Sequence, residues 1–263
     1  MDSAALDRLA DLLARHRRAP QPLEALPADL RPVDLAEAYA AQDAAVARLA
    51  AAGDGPVVGW KIGSTSAAMQ KYLGIPEPAA GKVLARDCHW GPARLARKDF
   101  LNPGVECEIA VRLGADLPPE EAPFTERVVG KAVQAAMASI ELVDARWADF
   151  RTVDVASLIA DGFFHSAVVL GIEHDVPARG LAALAGAMRV DGKEVGRGLG
   201  ADILGDPMTV LAWLANHAAH RGETLAAGQM VTLGSLCPPH WLHGAAAVEV
   251  EIEALGAVTL ELA

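Results

Sequence analysis

Aromatic residues make up only 5% of this 263-residue chain, and it has just three cysteines. No apolar run is long enough to span a bilayer. Cationic side chains are outnumbered 23 to 34 by acidic ones, leaving a formal net charge of −11. Each shortage excludes something. The negative balance disfavours nucleic acid and anionic membrane surfaces as partners. Cys88, Cys107 and Cys237 are odd in number and lack metal-type spacing. They read as reduced thiols, with Cys107 a small strand residue facing the core. The charged start, Met1 to Arg8, has no signal-peptide core, so a cytoplasmic protein is expected. Phosphate-binding glycine loops are missing too. Gly196-Arg-Gly-Leu-Gly200 follows a hairpin instead of opening a helix, and so fails as a dinucleotide-binding turn.

What is present is a foldable composition, 52% hydrophobic and rich in alanine, of a size for one large domain or a core with a small appendage. Leu6, Leu9, Leu12 and Leu13 form one stripe of a helix over 3–18. A second helix starts near Asp34, an N-cap with Glu37 three residues on, and runs to Gly53. Strands are expected at 57–63, near 83–84, at 105–113, 167–170, 229–233 and over 246–262. Short helices are expected at 66–73 and from Asp206-Pro207 to about His220. A helix from Arg127 to Ile140 would lead into Glu141. Asp191-Gly192 is a hairpin turn. The reading is an α+β fold with a mainly β core, an N-terminal helical region at 1–55 and a β-rich catalytic domain at 56–263.

The chemistry concentrates in Val105-Glu-Cys-Glu-Ile109. Strand alternation sends Glu106 and Glu108 off the same face, where like charges repel unless a cation sits between them. Glu141 lies in a second apolar stretch. Three carboxylates in apolar surroundings suit a hard divalent ion such as Mg²⁺ or Mn²⁺. Spacing alone does not separate this pair from Glu249 and Glu251, which read as a solvated strand face. Lys61 stands inside an apolar strand between glycines, where an ammonium is costly without a partner. It suits an anionic oxygen, a proton transfer or a Schiff base; a snorkelling surface lysine is the plain alternative. His165 follows Asp161-Gly-Phe-Phe164, in a turn before a strand, and is either a general base or a packed histidine. The turn at Ser235 either binds a carboxylate or merely ends a strand. His217/His220 and His240/His243 read as ordinary surface or core histidines.

Taken together, Gly59-Trp-Lys-Ile-Gly63, the Gly74 and Gly81 segment, Val105-Glu-Cys-Glu108, Ile140-Glu-Leu-Val-Asp144, Ala160-Asp161, Gly196-Arg-Gly198, Ala212-Trp-Leu-Ala215 and Gly234-Ser-Leu236 resemble the 2-keto-4-pentenoate hydratase and 4-oxalocrotonate decarboxylase family. That family lies within the fumarylacetoacetate hydrolase superfamily. The resemblance covers nearly the whole chain. It implies a mixed β-sheet core of that type with an N-terminal helical region, commonly assembled into homo-oligomers. It also implies Mg²⁺ or Mn²⁺ on Glu106, Glu108 and Glu141, with Lys61 in the pocket, and Ser235, Phe164 and Asp161 against a small 2-oxo acid. The implied reaction is hydration of a 2-hydroxy-2,4-dienoate. Decarboxylation of an oxalocrotonate-like acid, carbon–carbon hydrolysis of an acylpyruvate, and a non-catalytic keto-acid binding protein are the alternatives. Two departures stand out. Ala79 replaces the hydratases' pocket aspartate, and Asp161-Gly-Phe-Phe164 stands where they carry Asp-Asn-Ala-Ser. A less polar wall is therefore expected at the substrate's distal end, with His165 the nearest substitute for the lost acid/base group.

Overall fold

The computed structural model describes residues 1–19 and 21–263. Helix α1, Ser3–Arg18, is capped by Asp2, whose side chain accepts from the Ala5 amide. Helix α2, Leu35–Leu49, is capped the same way by Asp34. The two pack against each other, and α2 carries the pair onto the body of the protein. Its Tyr39 hydroxyl accepts from the Ala80 amide, and Gln42 donates to the carbonyls of Ala80 and Ile159. No helix among the described residues is long and apolar enough to cross a membrane.

The body begins with β1, Val57–Gly63, then α3, Ala67–Leu73, and β2, Ala79–Leu84. Two short strands follow, β3, Cys88–Trp90, and β4, Ala93–Leu95. The long strand β5 spans Pro103–Leu113, α4 spans Glu126–Ala132 and β6 spans Val133–Asp144. Next come α5, Val155–Ala160, β7, His165–Leu170, β8, Ala185–Val190, and β9, Lys193–Leu199. The chain ends with α6, Pro207–His220, β10, Met230–Ser235, the two-residue β11 at His240–Trp241, β12, Ala246–Ile252, and β13, Gly256–Leu262. The larger sheet has the order β2-β1-β10-β5-β6-β7-β3, with β11 added to β5; the smaller has the order β4-β13-β12-β8-β9. This is the mixed α+β architecture expected.

Strand alternation in β5 assigns its two faces. Val105, Cys107, Ile109 and Val111 belong to the main core, where the smaller sheet packs on β5 and β6. Glu106, Glu108 and Ala110 leave the opposite face. There the larger sheet curls, bringing β2 towards β7. The deep part of that concave face is an apolar floor of Val83, Ala110, Met137, Val168, Leu170 and Met230, all buried.

One sequence expectation is corrected. The segment read as a helix from Arg127 to Ile140 is helical only to Ala132 and then becomes β6. Gln134-Ala-Ala-Met-Ala-Ser favours helix by intrinsic propensity. In the fold it lies between β5 and β7, paired along almost its whole length, and small side chains suit a strand buried on both faces. The correction matters for chemistry: Glu141 projects from a strand directly opposite Glu106. A smaller correction concerns His165, which is the first residue of β7 and not part of a preceding turn.

Candidate active site

Four neighbouring strands supply the polar centre. Register places Glu106 opposite Glu141 and Glu108 opposite Ser139 across β5 and β6. Ser235 of β10 pairs with Glu108, while Thr232 of the same strand pairs with Lys61 of β1. Paired residues share a face, so the carboxylates and the lysine converge without any loop having to carry them. Lys61 is 2% exposed and its Nζ lies 3.5 Å from Glu141 Oε1. His165 Nδ1 lies 2.9 Å from the same oxygen.

The local backbone at Gly234 explains how Glu108 is held. Gly234 has φ +107°, and its N–H donates to Glu108 Oε2 at 3.1 Å. The β10–β5 register shifts between Thr232 and Ser235. A Cβ at Gly234 would lie 2.1 Å from Thr65 Oγ1, so both the conformation and the space require glycine. Ser235 lines the cavity, but its hydroxyl is bonded to the backbone at Cys107 and Cys237. The Leu236 N–H goes to the Cys107 carbonyl. This turn thus braces the wall with the groups that were expected to bind a carboxylate.

Burial dominates the electrostatics. It pushes the Glu106 carboxyl up to about 7, with repulsion from Glu141 adding to the effect and Lys61 opposing it. Burial, then Glu141 and Glu106, push Glu108 well above the usual carboxylate range. Burial also acts to raise Glu141, but Lys61 and His165 outweigh it and hold that carboxyl below its ordinary value. His165 is lowered by burial against the pull of Glu141, so the neutral imidazole is favoured.

The trio fits a metal. One carboxylate oxygen from each of Glu106, Glu108 and Glu141 lies within 4.8 Å of the others. Glu108 Oε1 and Glu141 Oε2 are buried without a hydrogen-bond partner, an expensive state for a carboxylate unless a cation meets it. An all-oxygen donor set selects a hard divalent ion. By contrast, Glu249 is half-buried and Glu251 exposed, and both are bonded to Arg189, at 2.8 and 3.0 Å. His217 is packed between the rings of Tyr39 and Trp213.

Two of the trio, Glu106 and Glu108, line a cavity of about 1060 Å³ together with Lys61, Phe163 and Phe164, and Glu141 lies buried beside them. Besides Glu141, two expected site residues do not line it. His165 is buried behind Glu141, where it positions that carboxylate; a general acid/base in contact with substrate is not its geometry. Asp161 is 2% exposed and turned towards Arg146.

Arg146 was not legible as functional from the sequence. Its Nε donates to Asp161 Oδ2 at 3.1 Å, and its two terminal nitrogens donate to the carbonyls of Asp161 at 2.8 Å and His165 at 2.9 Å. It therefore grips both ends of the loop 161–165. Inside that loop Gly162, Phe163 and Phe164 have φ of +78°, +50° and +65°. Left-handed backbone costs a residue with a Cβ roughly 1–2 kcal/mol, so two phenylalanines there need such a clamp. Replacing Arg146 with Met leaves Asp161 buried and uncompensated. It is expected to lower the unfolding free energy by about 3–5 kcal/mol. Urea unfolding measures this, and the double variant R146M/D161N should recover part of the loss; no recovery would place the effect elsewhere than in the pair.

Residues 58–263 match the family model described as the fumarylacetoacetate hydrolase C-terminal region. The chain belongs to the fumarylacetoacetate hydrolase family. Within that family it is 32% identical to a TodF product hydratase from Pseudomonas putida, over 99% of this chain and 96% of the relative. It is 34% identical to a 2-keto-4-pentenoate hydratase from Paraburkholderia phymatum, over 96% of each. Among solved structures, a Pseudomonas putida 4-oxalocrotonate decarboxylase complexed with magnesium and adipate superposes with a TM-score of 0.93. It is 24% identical, and the match covers 100% of this chain and 99% of that one. At that identity the likeness establishes the fold of this fumarylacetoacetate hydrolase family member.

Proposed function

We propose that this protein is a metal-dependent hydratase that adds water to a 2-hydroxy-2,4-dienoate and yields a 4-hydroxy-2-oxo acid. The observation that carries the reading is the convergence of Glu106, Glu108 and Glu141 on one another beside a buried lysine, with Glu106, Glu108 and that lysine facing one cavity. Similarity to relatives named as hydratases over nearly the full chain supports it.

Glu106, Glu108 and Glu141 would hold the ion, with Mg²⁺ or Mn²⁺ as the proposed identity. A divalent cation there supplies Lewis-acid polarisation of the substrate's carboxylate and adjacent enol oxygen. The chain's own side chains do the rest. Lys61 Nζ donates to the oxygen on which enolate charge develops, in a setting where water does not compete for the bond. The substrate's enol proton is lost and its terminal carbon gains one, giving an unsaturated ketone. Water then delivers its oxygen to the fourth carbon and a proton to the third. His165 keeps Glu141 oriented while Lys61 and the substrate exchange protons in front of it. The same reading expects a cytoplasmic homo-oligomer.

The test is turnover of a 2-hydroxydienoate with Mg²⁺, followed as loss of its near-ultraviolet absorbance. Accumulation of the 4-hydroxy-2-oxo acid is the expected result. Release of carbon dioxide from an oxalocrotonate-type acid, without hydration of the dienoate, would move the assignment to decarboxylation. Tight binding of 2-oxo acids with no turnover of any of them would make this a binding protein.

A further inference from the structure

We propose that the substrate's distal end is an uncharged alkyl or aryl group, seated along a strip of aromatic rings that begins at the catalytic lysine. The inference rests on the hydratase reading for which end of the substrate reacts. Its own support is independent geometry.

The strip starts with Lys61 Nζ, 5.1 Å from the centre of the Phe163 ring. Phe163 meets Phe164 edge-on at 5.6 Å, and Phe164 meets Phe150 edge-on at 5.3 Å. Phe150 then stacks on Trp241 at 6.0 Å. These rings come from three separate places in the chain: the Arg146-clamped loop, the turn before α5, and β11. All four line the cavity that contains Glu106 and Glu108. In a chain with five phenylalanines, three are gathered on this one wall. A row of rings leading away from the reacting end is a seat for an apolar tail.

Beyond Lys61, the cationic side chains of the cavity are already engaged. The cavity's two arginines, Arg151 and Arg197, are each forked onto an acidic neighbour. Arg151 bonds Asp149 at 2.7 and 3.1 Å, and Arg197 bonds Glu194 at 3.0 and 2.7 Å. The other charged groups of the lining apart from the site's own, Asp154 and Asp202, are acidic and accept from backbone amides of Ser157 and Leu199. They repel a carboxylate.

The experiment compares 2-hydroxydienoates ending in hydrogen, propyl, phenyl or carboxylate for kcat/KM. In parallel, calorimetry with Mn²⁺ compares saturated 2-oxo acids bearing the same ends. Propyl and phenyl should beat carboxylate by about tenfold or more in both assays, the size of discrimination a well-formed apolar pocket gives. Trp241→Leu and Phe164→Leu should shrink that ratio. Phe150→Arg adds a cation and should shift it towards the carboxylate. A preference for the carboxylate end, or a ratio that none of the three substitutions moves, overturns the proposal. The two readings fail separately. If the binding preference holds but no dienoate is hydrated, the hydratase assignment fails and the apolar seat stands. If dienoates are hydrated without regard to their ends, the seat fails and the hydratase stands.

Discussion

Replacing Glu108 with alanine is expected to abolish metal binding, and with it every metal-dependent activity of the protein. Glu108 is fully buried, receives the Gly234 N–H on one oxygen and leaves the other without a partner. Among the described residues no other side chain can take its place, because Glu106 and Glu141 already form the rest of the trio. Loss of mere outer-shell partners weakens a metal site by ~10–100-fold, so removal of a ligand should exceed about 100-fold. Mn²⁺ titration followed by electron paramagnetic resonance reads the affinity directly. The substitution also removes a carboxyl that burial keeps in an unfavourable state, so the fold should survive it. Undiminished Mn²⁺ affinity in a folded E108A variant would mean that the ion binds elsewhere.

The second large effect is on rate. Lys61→Met keeps the aliphatic stem inside the barrel-like face but deletes the buried donor. Losing one well-placed donor to developing oxyanion charge is typically worth ~2–4 kcal/mol in the transition state. That corresponds to a fall in kcat of roughly 30- to 1000-fold. Metal affinity should not fall with it, since the change removes a positive charge 3.5 Å from Glu141. Single-turnover rates and Mn²⁺ titration of the same preparation separate the two. Near-normal turnover would reduce Lys61 to a structural counter-ion. Covalent trapping by borohydride in the presence of substrate would instead mark it as a Schiff-base former.

How legible these features were depended on whether they were local. Alternation in Val105–Ile109 was enough to put Glu106 and Glu108 on one face, because that face is set by neighbouring residues in a single strand. Glu141 was marked out by its apolar stretch, but its place beside the pair was legible only through the family resemblance. Its strand is alanine-rich and reads as helix, and only pairing with β5 and β7 makes it a strand. His165 stands out in the sequence, but its role does not. Only the tertiary structure shows that it lies behind Glu141 and outside the cavity. The doublet Phe163-Phe164 was visible as a change in the pocket wall. Phe150 and Trp241 were not, since the turns that carry them to that wall are tertiary. Arg146 gave no signal at all, its three acceptors lying 15 and 19 residues away.

The apolar floor beneath the carboxylates has a consequence for traffic. Met137, Met230, Val83 and Val168 are buried and fill the deep part of the curled sheet, so the opening beside the rings is the route the cavity offers. Whatever is made there leaves by the doorway through which its precursor came. Departing and arriving molecules queue for one opening, and at any moment the chamber is occupied by one or the other. A product of this enzyme is therefore expected to compete with its own precursor, and initial rates measured with added product should fall.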